Sequence, residues 1–198
     1  MKWYTAVGVK IESVDGAFRV RVGRDTKNLL GVECYVWNTL LWSFVEETEV
    51  YGRMVWLLKL AFPGQPEKTD IDREEFLLCL RRLLTRGLVA CRGNETMEGA
   101  AEAFLRAANV VCVGRTWGER FLLFCKSAAD GSTVRDSVRV FQKSPLEKEH
   151  RQLLRTIRDS GKKGFSIEGS EGELLCTALK LYKGKLLFIQ SVKEEFVA

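Results

Sequence analysis

Apolar residues recur with a helical period most clearly after residue 70. At about 100° per residue, five apolar side chains fall on one helix face. They are Phe76, Leu77, Leu80, Leu83 and Leu84. Thr69, Asp70 or Asp72 can cap the start of this helix, and Gly87 is placed to end it. An apolar strand is predicted next, at Leu88 to Cys91, so the pattern indicates an amphipathic helix that runs into a strand.

The opposite face of this predicted helix is polar and mixed in charge. Arg81, Arg82 and Thr85 point away from the apolar face, together with Glu74. Leu78 projects from the same side and is the kind of residue that a protein interface uses. The helix therefore presents a partly basic surface that suits either a nucleic acid or a protein.

The chain ahead of this helix is predicted to form a β-hairpin and two further helices. Strands are expected at 3–11 and 17–22, joined around the hairpin dipeptide Asp15-Gly16. After the turn-like residues GRDTKN, helices are expected at 32–46 and 48–62. Their aromatic side chains indicate a buried core, since large aromatic residues dominate core burial.

The order of helix, helix, loop, helix and apolar strand resembles that of a winged helix-turn-helix domain. The resemblance covers residues 32–93 and includes the ending LLTRGLVA. A hairpin ahead of three helices also resembles the small peptide-binding winged-helix modules that serve peptide-modifying enzymes. The chain departs from the family at the wing, because residues 93–109 predict an inserted helix capped by Thr96. This departure argues against a wing that enters a nucleic-acid groove.

The second half of the chain repeats two patterns of the first. SVRVF at 137–141 resembles FRVRV at 18–22, and each follows an Asp-Gly turn. Laying Gly87 on Gly184 matches EEFLLCLRRLLTRG with EGELLCTALKLYKG, and both segments then enter an apolar strand. Chance similarity between two leucine-rich helices is the alternative. The common order of the two repeats favours a duplication, and the layout resembles that of tandem winged-helix proteins.

These patterns together predict an α+β fold with two winged-helix-like units, each preceded by a small antiparallel hairpin or meander. The first unit is expected to span residues 1–109. The second, shorter unit is expected at 110–198, with strands predicted at 110–113, 120–126 and 133–141.

A one-sided basic surface is predicted on the helix that begins near Ser144, whose hydroxyl and Glu147 form a capping box. Its basic stripe consists of Lys148, Arg151, Arg155 and Arg158. His150 falls on the apolar side of the same helix, which favours a structural histidine over a catalytic base. The alternative for the stripe is a solvated helix face screened by Glu147 and Asp159.

The composition excludes some classes of function but does not identify a single function. The chain has 198 residues and a net charge of +5, which permits a polyanionic partner without requiring one. Six cysteines and one histidine lack metal-chelating spacing, so free thiols buried in the core are expected, with no metal, disulfide or cofactor. No phosphate-binding glycine motif or nucleophile motif is present, so no catalytic residue is assigned.

The sequence thus predicts a non-catalytic nucleic-acid-binding protein, acting in transcription or replication. Its expected contact residues are the stripe Lys148, Arg151, Arg155 and Arg158, and on the earlier helix Arg81, Arg82 and Thr85. A protein-interaction scaffold built on winged-helix modules is the alternative, and an enzyme of another class is a minor one. No apolar run is long enough to cross a bilayer and no export signal is recognised, so the cytoplasm is expected, with no membrane partner.

Overall fold

The computed structural model describes residues 1–14, 17–113, 148–161, 164–167 and 172–193. These residues form a mixed α+β structure with small antiparallel sheets. The strands are β1 (Lys2–Ala6), β2 (Val9–Val14), β3 (Ala17–Val22), β4 (Asp25–Leu29), β5 (Val45–Glu46), β6 (Val89–Gly93), β7 (Ala108–Cys112), β8 (Phe165–Ser166) and β9 (Leu187–Val192). The helices are α1 (Val32–Leu40), α2 (Glu47–Ala61), α3 (Pro66–Thr69), α4 (Arg73–Thr85), α5 (Met97–Arg106), α6 (Lys148–Asp159) and α7 (Gly172–Lys183).

The described strands form three antiparallel sheets of three strands each. Their orders are β5-β1-β6, β2-β3-β4 and β8-β7-β9. In the first and third sheets, the central strand precedes both of its neighbours in the chain. Each of these sheets therefore closes only when segments distant in sequence come together.

The opening strand predicted at 3–11 is in fact two strands that belong to different sheets. The chain changes direction at Gly8, whose φ of 111° lies in a region that side chains rarely adopt. Val7 N–H donates to the Leu88 carbonyl at 2.8 Å, and Gly8 N–H donates to the Ile189 carbonyl at 2.7 Å. Only β2 pairs with β3 in the expected hairpin, while β1 joins β5 and β6.

Two further sequence expectations are wrong near the first helix. The turn-like residues 23–28 contain most of strand β4, which pairs with β3. The helix expected at 32–46 ends at Leu40, and β5 follows at 45–46. Between them Trp42 has a φ of 57°, and its indole N–H donates to the Leu187 carbonyl at 2.8 Å. Long-range contacts of this kind override local helix propensity.

The ends of α4 and α5 agree with the sequence pattern. Asp72 caps α4, because its carboxylate accepts the N–H of Glu75 at 2.7 Å. Gly87 ends the helix region with a φ of 66°. Thr96 caps α5 by accepting the N–H of Gly99 at 3.1 Å, which confirms the inserted helix.

The buried side chains of both halves of the chain belong to one continuous core. Phe44 packs against Phe104 and Tyr182, with ring centroids 5.7 and 5.2 Å apart. The hydroxyls of Thr5 and Tyr182 lie 2.8 Å apart. The boundary placed at 109–110 from the sequence falls inside β7. The two halves are therefore joined by packing as well as by the chain.

The first and third sheets share the pairing register between their central and shortest strands. Trp3 and Tyr4 of β1 pair with Glu46 and Val45 of β5. Asn109 and Val110 of β7 pair in the same way with Ser166 and Phe165 of β8. In each sheet the other neighbour of the central strand follows a long helix, α4 or α7. The two sheets thus have the same strand order and direction, and they differ by a register shift between Asn109 and Val110 in the β7–β9 pairing.

The helix ends that lead into these sheets show that the sequence alignment is one residue out of register. Leu88 N–H donates to the Leu83 carbonyl, and Leu186 N–H donates to the Leu181 carbonyl, each at 2.9 Å. Gly87 therefore corresponds to Lys185, which also has a positive φ of 62°, and not to Gly184. The other repeat, at 137–141, lies outside the described residues, as do the strands expected at 120–126 and 133–141.

Candidate nucleic-acid interface

Helix α6 carries the basic stripe on its solvent-exposed side. Leu153 and Ile157 anchor the opposite side of the helix in the core, with 6% and 1% of their surface exposed. The stripe residues Lys148, Arg151, Arg155 and Arg158 are all exposed. Among the described residues, no recorded ion pair involves any of them. The amphipathic pattern of the sequence therefore places four cationic groups along one side of α6.

Of the other predictions for this helix, the structure describes the residue of only one, His150. His150 is half-buried on the apolar side, where a structural histidine was expected. Ser144 and Glu147, which the sequence assigns to a capping box, lie outside the described residues.

Helix α4 presents a less uniform surface than α6. Arg81, Arg82 and Thr85 are exposed, as predicted. The Thr85 hydroxyl, however, donates to the Arg81 carbonyl of its own helix at 3.0 Å. Leu78 is 53% exposed between these polar groups, and Glu74 is exposed beside it. The outward face of α4 therefore combines both signs of charge with an apolar residue.

Arg86, the residue after α4, connects the end of α4 to β4 and to the start of α1. Its guanidinium forms an ion pair with Glu33 at 2.6 Å and also donates to the Asn28 carbonyl. The Lys27 ammonium donates in turn to the Arg86 carbonyl. Arg86 and Lys27 are thus used to hold β4 against the end of α4.

The strand that lies beside β6 comes from the start of the chain. β6 pairs with β1, and the residues after β6 form helix α5. In the part of the chain that the structure describes, no wing hairpin extends next to α4. Any contact that α4 makes with a nucleic acid would therefore come from the side chains of α4 itself.

One exposed apolar pair was missed by the sequence analysis. Trp56 and Leu60 lie one turn apart on α2 and are 47% and 56% exposed. The aromatic residues of this helix pair were expected in the core, and for Trp56 that expectation is wrong. Val50, Met54 and Leu58 are the buried residues of α2, and a projection from these three places Trp56 on the far side.

The cysteines also depart from the sequence expectation in one case. Cys34 and Cys79 are buried, Cys91 and Cys112 are half-buried, and Cys176 is exposed. All five are free thiols, and Cys125 lies outside the described residues. Burial raises the pKa of the Cys79 thiol to about 12. No group of three or more potential metal ligands occurs among the residues that the structure describes.

These thiol environments predict one fast-reacting cysteine at position 176. A native-state titration with Ellman's reagent at pH 8 should lose one rapid equivalent in Cys176→Ser, because only the thiolate reacts and this thiol is exposed. Cys79→Ser should leave the rapid phase unchanged, since Cys79 is buried and protonated at that pH. An unchanged rapid phase in Cys176→Ser would contradict the exposed placement.

Comparison with protein-family models, with curated protein sequences and with solved structures found no significant match. Every helix in the described part of the chain is too short or too polar to span a bilayer. The functional proposal therefore rests on this chain's own residues.

Proposed function

We propose that this protein binds nucleic acid without catalysing a reaction, and that α6 supplies its main contact surface. The observation that carries the proposal is the row of exposed Lys148, Arg151, Arg155 and Arg158. Residues at spacings of three and four lie on one side of a helix, so all four cationic groups can face one phosphate backbone. The net charge of +5 adds a weaker, long-range attraction for a polyanion.

In the proposed mode of binding, the protein contacts the phosphates of the nucleic acid and not the edges of its bases. Lysine and arginine that neutralise phosphates release condensed counterions, which drives sequence-independent binding. Base readout requires side chains that reach base edges, and α4 offers Arg81 and Arg82 for this purpose. Because Thr85 bonds its own helix and Glu74 lies on the same face, we assign α4 only a supporting role. In this proposal the two related sheet units form the scaffold of a tandem winged-helix-like protein.

A charge-reversal experiment tests this proposal. The variant Arg151→Glu/Arg155→Glu should weaken binding to every duplex sequence by about tenfold or more, since lost phosphate contacts act without regard to sequence. Fluorescence anisotropy with two unrelated labelled duplexes at low salt measures the effect.

The matched control is Arg24→Glu/Lys59→Glu, which changes the net charge equally at two exposed positions outside α6, one between β3 and β4 and one on α2. This control should bind within about threefold of the wild type, because it loses only long-range attraction. Equal losses in both variants, or no binding by the wild type, would overturn the role of α6.

A second candidate function, a protein-interaction scaffold, is favoured by a separate observation. Trp56 and Leu60 form an exposed apolar pair on α2, and Leu78 is exposed on α4. Tryptophan is enriched among the residues that carry most of the energy of protein interfaces. Exposed apolar side chains of this size are not needed for phosphate binding, so they support a protein partner for the first unit.

A further inference from the structure

A groove opens between α6 and α7, and none of the four residues of the basic stripe lines it. It has a volume of about 440 Å³. Leu153, Phe165, Leu174 and Thr177 contribute its inner lining, and Glu149 and Glu173 are exposed at its edge. At 100° per residue, Glu149 and Leu153 lie about 130° or more around α6 from the centre of the basic stripe. None of the four stripe residues lines the groove, although Gln152 of the lining lies one turn from Lys148 on α6.

The groove of the second unit can be compared with the equivalent region of the first unit. Val45 of β5 has the sheet position of Phe165 in β8, as the strand pairing gives. Phe76 lies seven residues before Leu83, and Leu174 lies seven residues before the equivalent Leu181. The walls of the groove thus have counterparts in β5 and α4.

In the first unit these counterparts are covered by helix α2. Val45 is fully buried, and Phe76 is 2% exposed with its ring 5.4 Å from the ring of Tyr51 in α2. In the second unit Phe165 and Leu174 are only half-buried. The chain passes from β8 to α7 in five residues, 167–171, whereas α2 alone has fifteen. Five residues are too few to form a helix of the length of α2, so the connection between β8 and α7 cannot supply the cover that α2 gives in the first unit.

We infer that the groove between α6 and α7 is a docking site for an amphipathic helix of a partner protein, one whose apolar stripe is bordered by lysine or arginine. The helix is inferred from the place that α2 fills in the first unit. The basic border is inferred from Glu149 and Glu173, whose carboxylates at the two edges would face it. Apolar side chains would cover the half-buried Leu174 and Phe165, as in other helix-in-groove complexes. This site does not depend on nucleic-acid binding by α6.

A peptide titration without nucleic acid tests the inference. The probe is a fluorescein-labelled, 15-residue peptide of Leu, Lys and Ala, with its leucines on one helical stripe. A peptide of the same composition with dispersed leucines is the control. The 198-residue protein should bind the amphipathic peptide at micromolar concentrations in fluorescence anisotropy, and at least tenfold more tightly than the control. Equal affinity for the two peptides, or no binding up to 500 µM, would overturn the inference.

Variants locate the binding site within the protein. Leu174→Lys, which places a charge on the groove wall, and Glu149→Lys/Glu173→Lys should each weaken peptide binding at least tenfold. Glu98→Lys/Glu102→Lys on α5 makes the same charge change at exposed positions and should stay within about twofold of the wild type. Circular dichroism confirms that each variant is folded.

An equal loss of peptide affinity in Glu98→Lys/Glu102→Lys would show that the peptide is held by non-specific charge attraction. That result would also overturn the inferred site. Sedimentation velocity separates a further occupant, a second copy of this chain. A dimer that Leu174→Lys dissociates would assign the groove to self-association and replace the inferred partner.

Discussion

Replacing Trp37 with alanine is expected to lower the free energy of unfolding by about 3 to 5 kcal/mol. The Trp37 side chain is fully buried, and its indole N–H donates to the Val7 carbonyl at 3.1 Å. Val7 is the residue at which the chain leaves β1, so the indole holds the junction between two sheets. The substitution leaves a large cavity there and removes a hydrogen bond to a buried carbonyl.

Urea denaturation followed by circular dichroism measures this effect against a tryptophan control. Trp56→Ala should change the unfolding free energy by only about 0.5 kcal/mol, because Trp56 is exposed. If Trp37→Ala does not fold, the free energy of unfolding is measured for Trp37→Phe instead. That variant keeps most of the volume but leaves the Val7 carbonyl without the indole donor, at a cost of about 1 to 3 kcal/mol. Similar values for Trp37→Ala and Trp56→Ala would contradict the placement of α1 in the core.

Gly8→Ala is expected to destabilise the protein by about 2 to 5 kcal/mol. The φ of 111° at Gly8 is strained for any side chain. A Cβ atom added there would clash with Val20 Cγ1 and would lie 3.1 Å from the Arg21 carbonyl oxygen. Val20 is fully buried, so it has little room to move away. Strain and overpacking therefore act together at the point where the opening strand divides.

A second glycine provides a control of opposite sign. Gly52 lies in α2, and a Cβ atom there would meet nothing within 4 Å. Gly52→Ala should therefore stabilise the protein by about 0.5 to 1 kcal/mol, since alanine loses less backbone entropy in a helix. Thermal or urea denaturation of the two variants measures the contrast. A stable Gly8→Ala variant would contradict the sharp turn between β1 and β2.

The sequence predicted those features that depend on neighbouring residues. The limits of α4 and α5 follow from local signals, because Asp72 and Thr96 each satisfy a backbone N–H within their own first turn. The hairpin of β2 and β3 likewise needs only one Asp-Gly dipeptide and two alternating strands.

The features that the sequence could not predict depend on distant residues. The segment 3–11 has one continuous apolar pattern, yet its first half pairs with β6 and its second half with β3. Nothing near Gly8 in the chain indicates that the Leu88 and Ile189 carbonyls accept the N–H groups of Val7 and Gly8. The short strands β5 and β8 have only two residues each, which is too few for any period to be visible.

The alignment of the two repeated helix ends was also wrong because it relied on a local signal. A glycine is the usual sign of a helix end, so Gly87 was matched with Gly184. In the structure Lys185 adopts the positive φ, and the true correspondence shifts by one residue. This shift explains why Cys79 is buried while Cys176, its partner in the sequence alignment, is exposed.

Of the candidate site residues, those on helix faces were the most predictable. The exposure of Arg151, Arg155 and Arg158 follows from period alone once Leu153 and Ile157 are buried. The hydrogen bond that occupies the Thr85 hydroxyl could not be predicted with the same ease, because threonine in a helix can turn toward its own backbone or toward solvent.

The salt dependence of nucleic-acid binding tests most directly whether the α6 stripe contacts phosphates. The logarithm of the binding constant for a labelled duplex is plotted against the logarithm of salt concentration, for the wild type and for Arg151→Gln/Arg155→Gln. If both arginines neutralise phosphates, the slope of the variant is flatter by about 1.8, since each lost contact to duplex DNA removes about 0.9. Parallel lines for the two proteins would contradict the proposed role of α6.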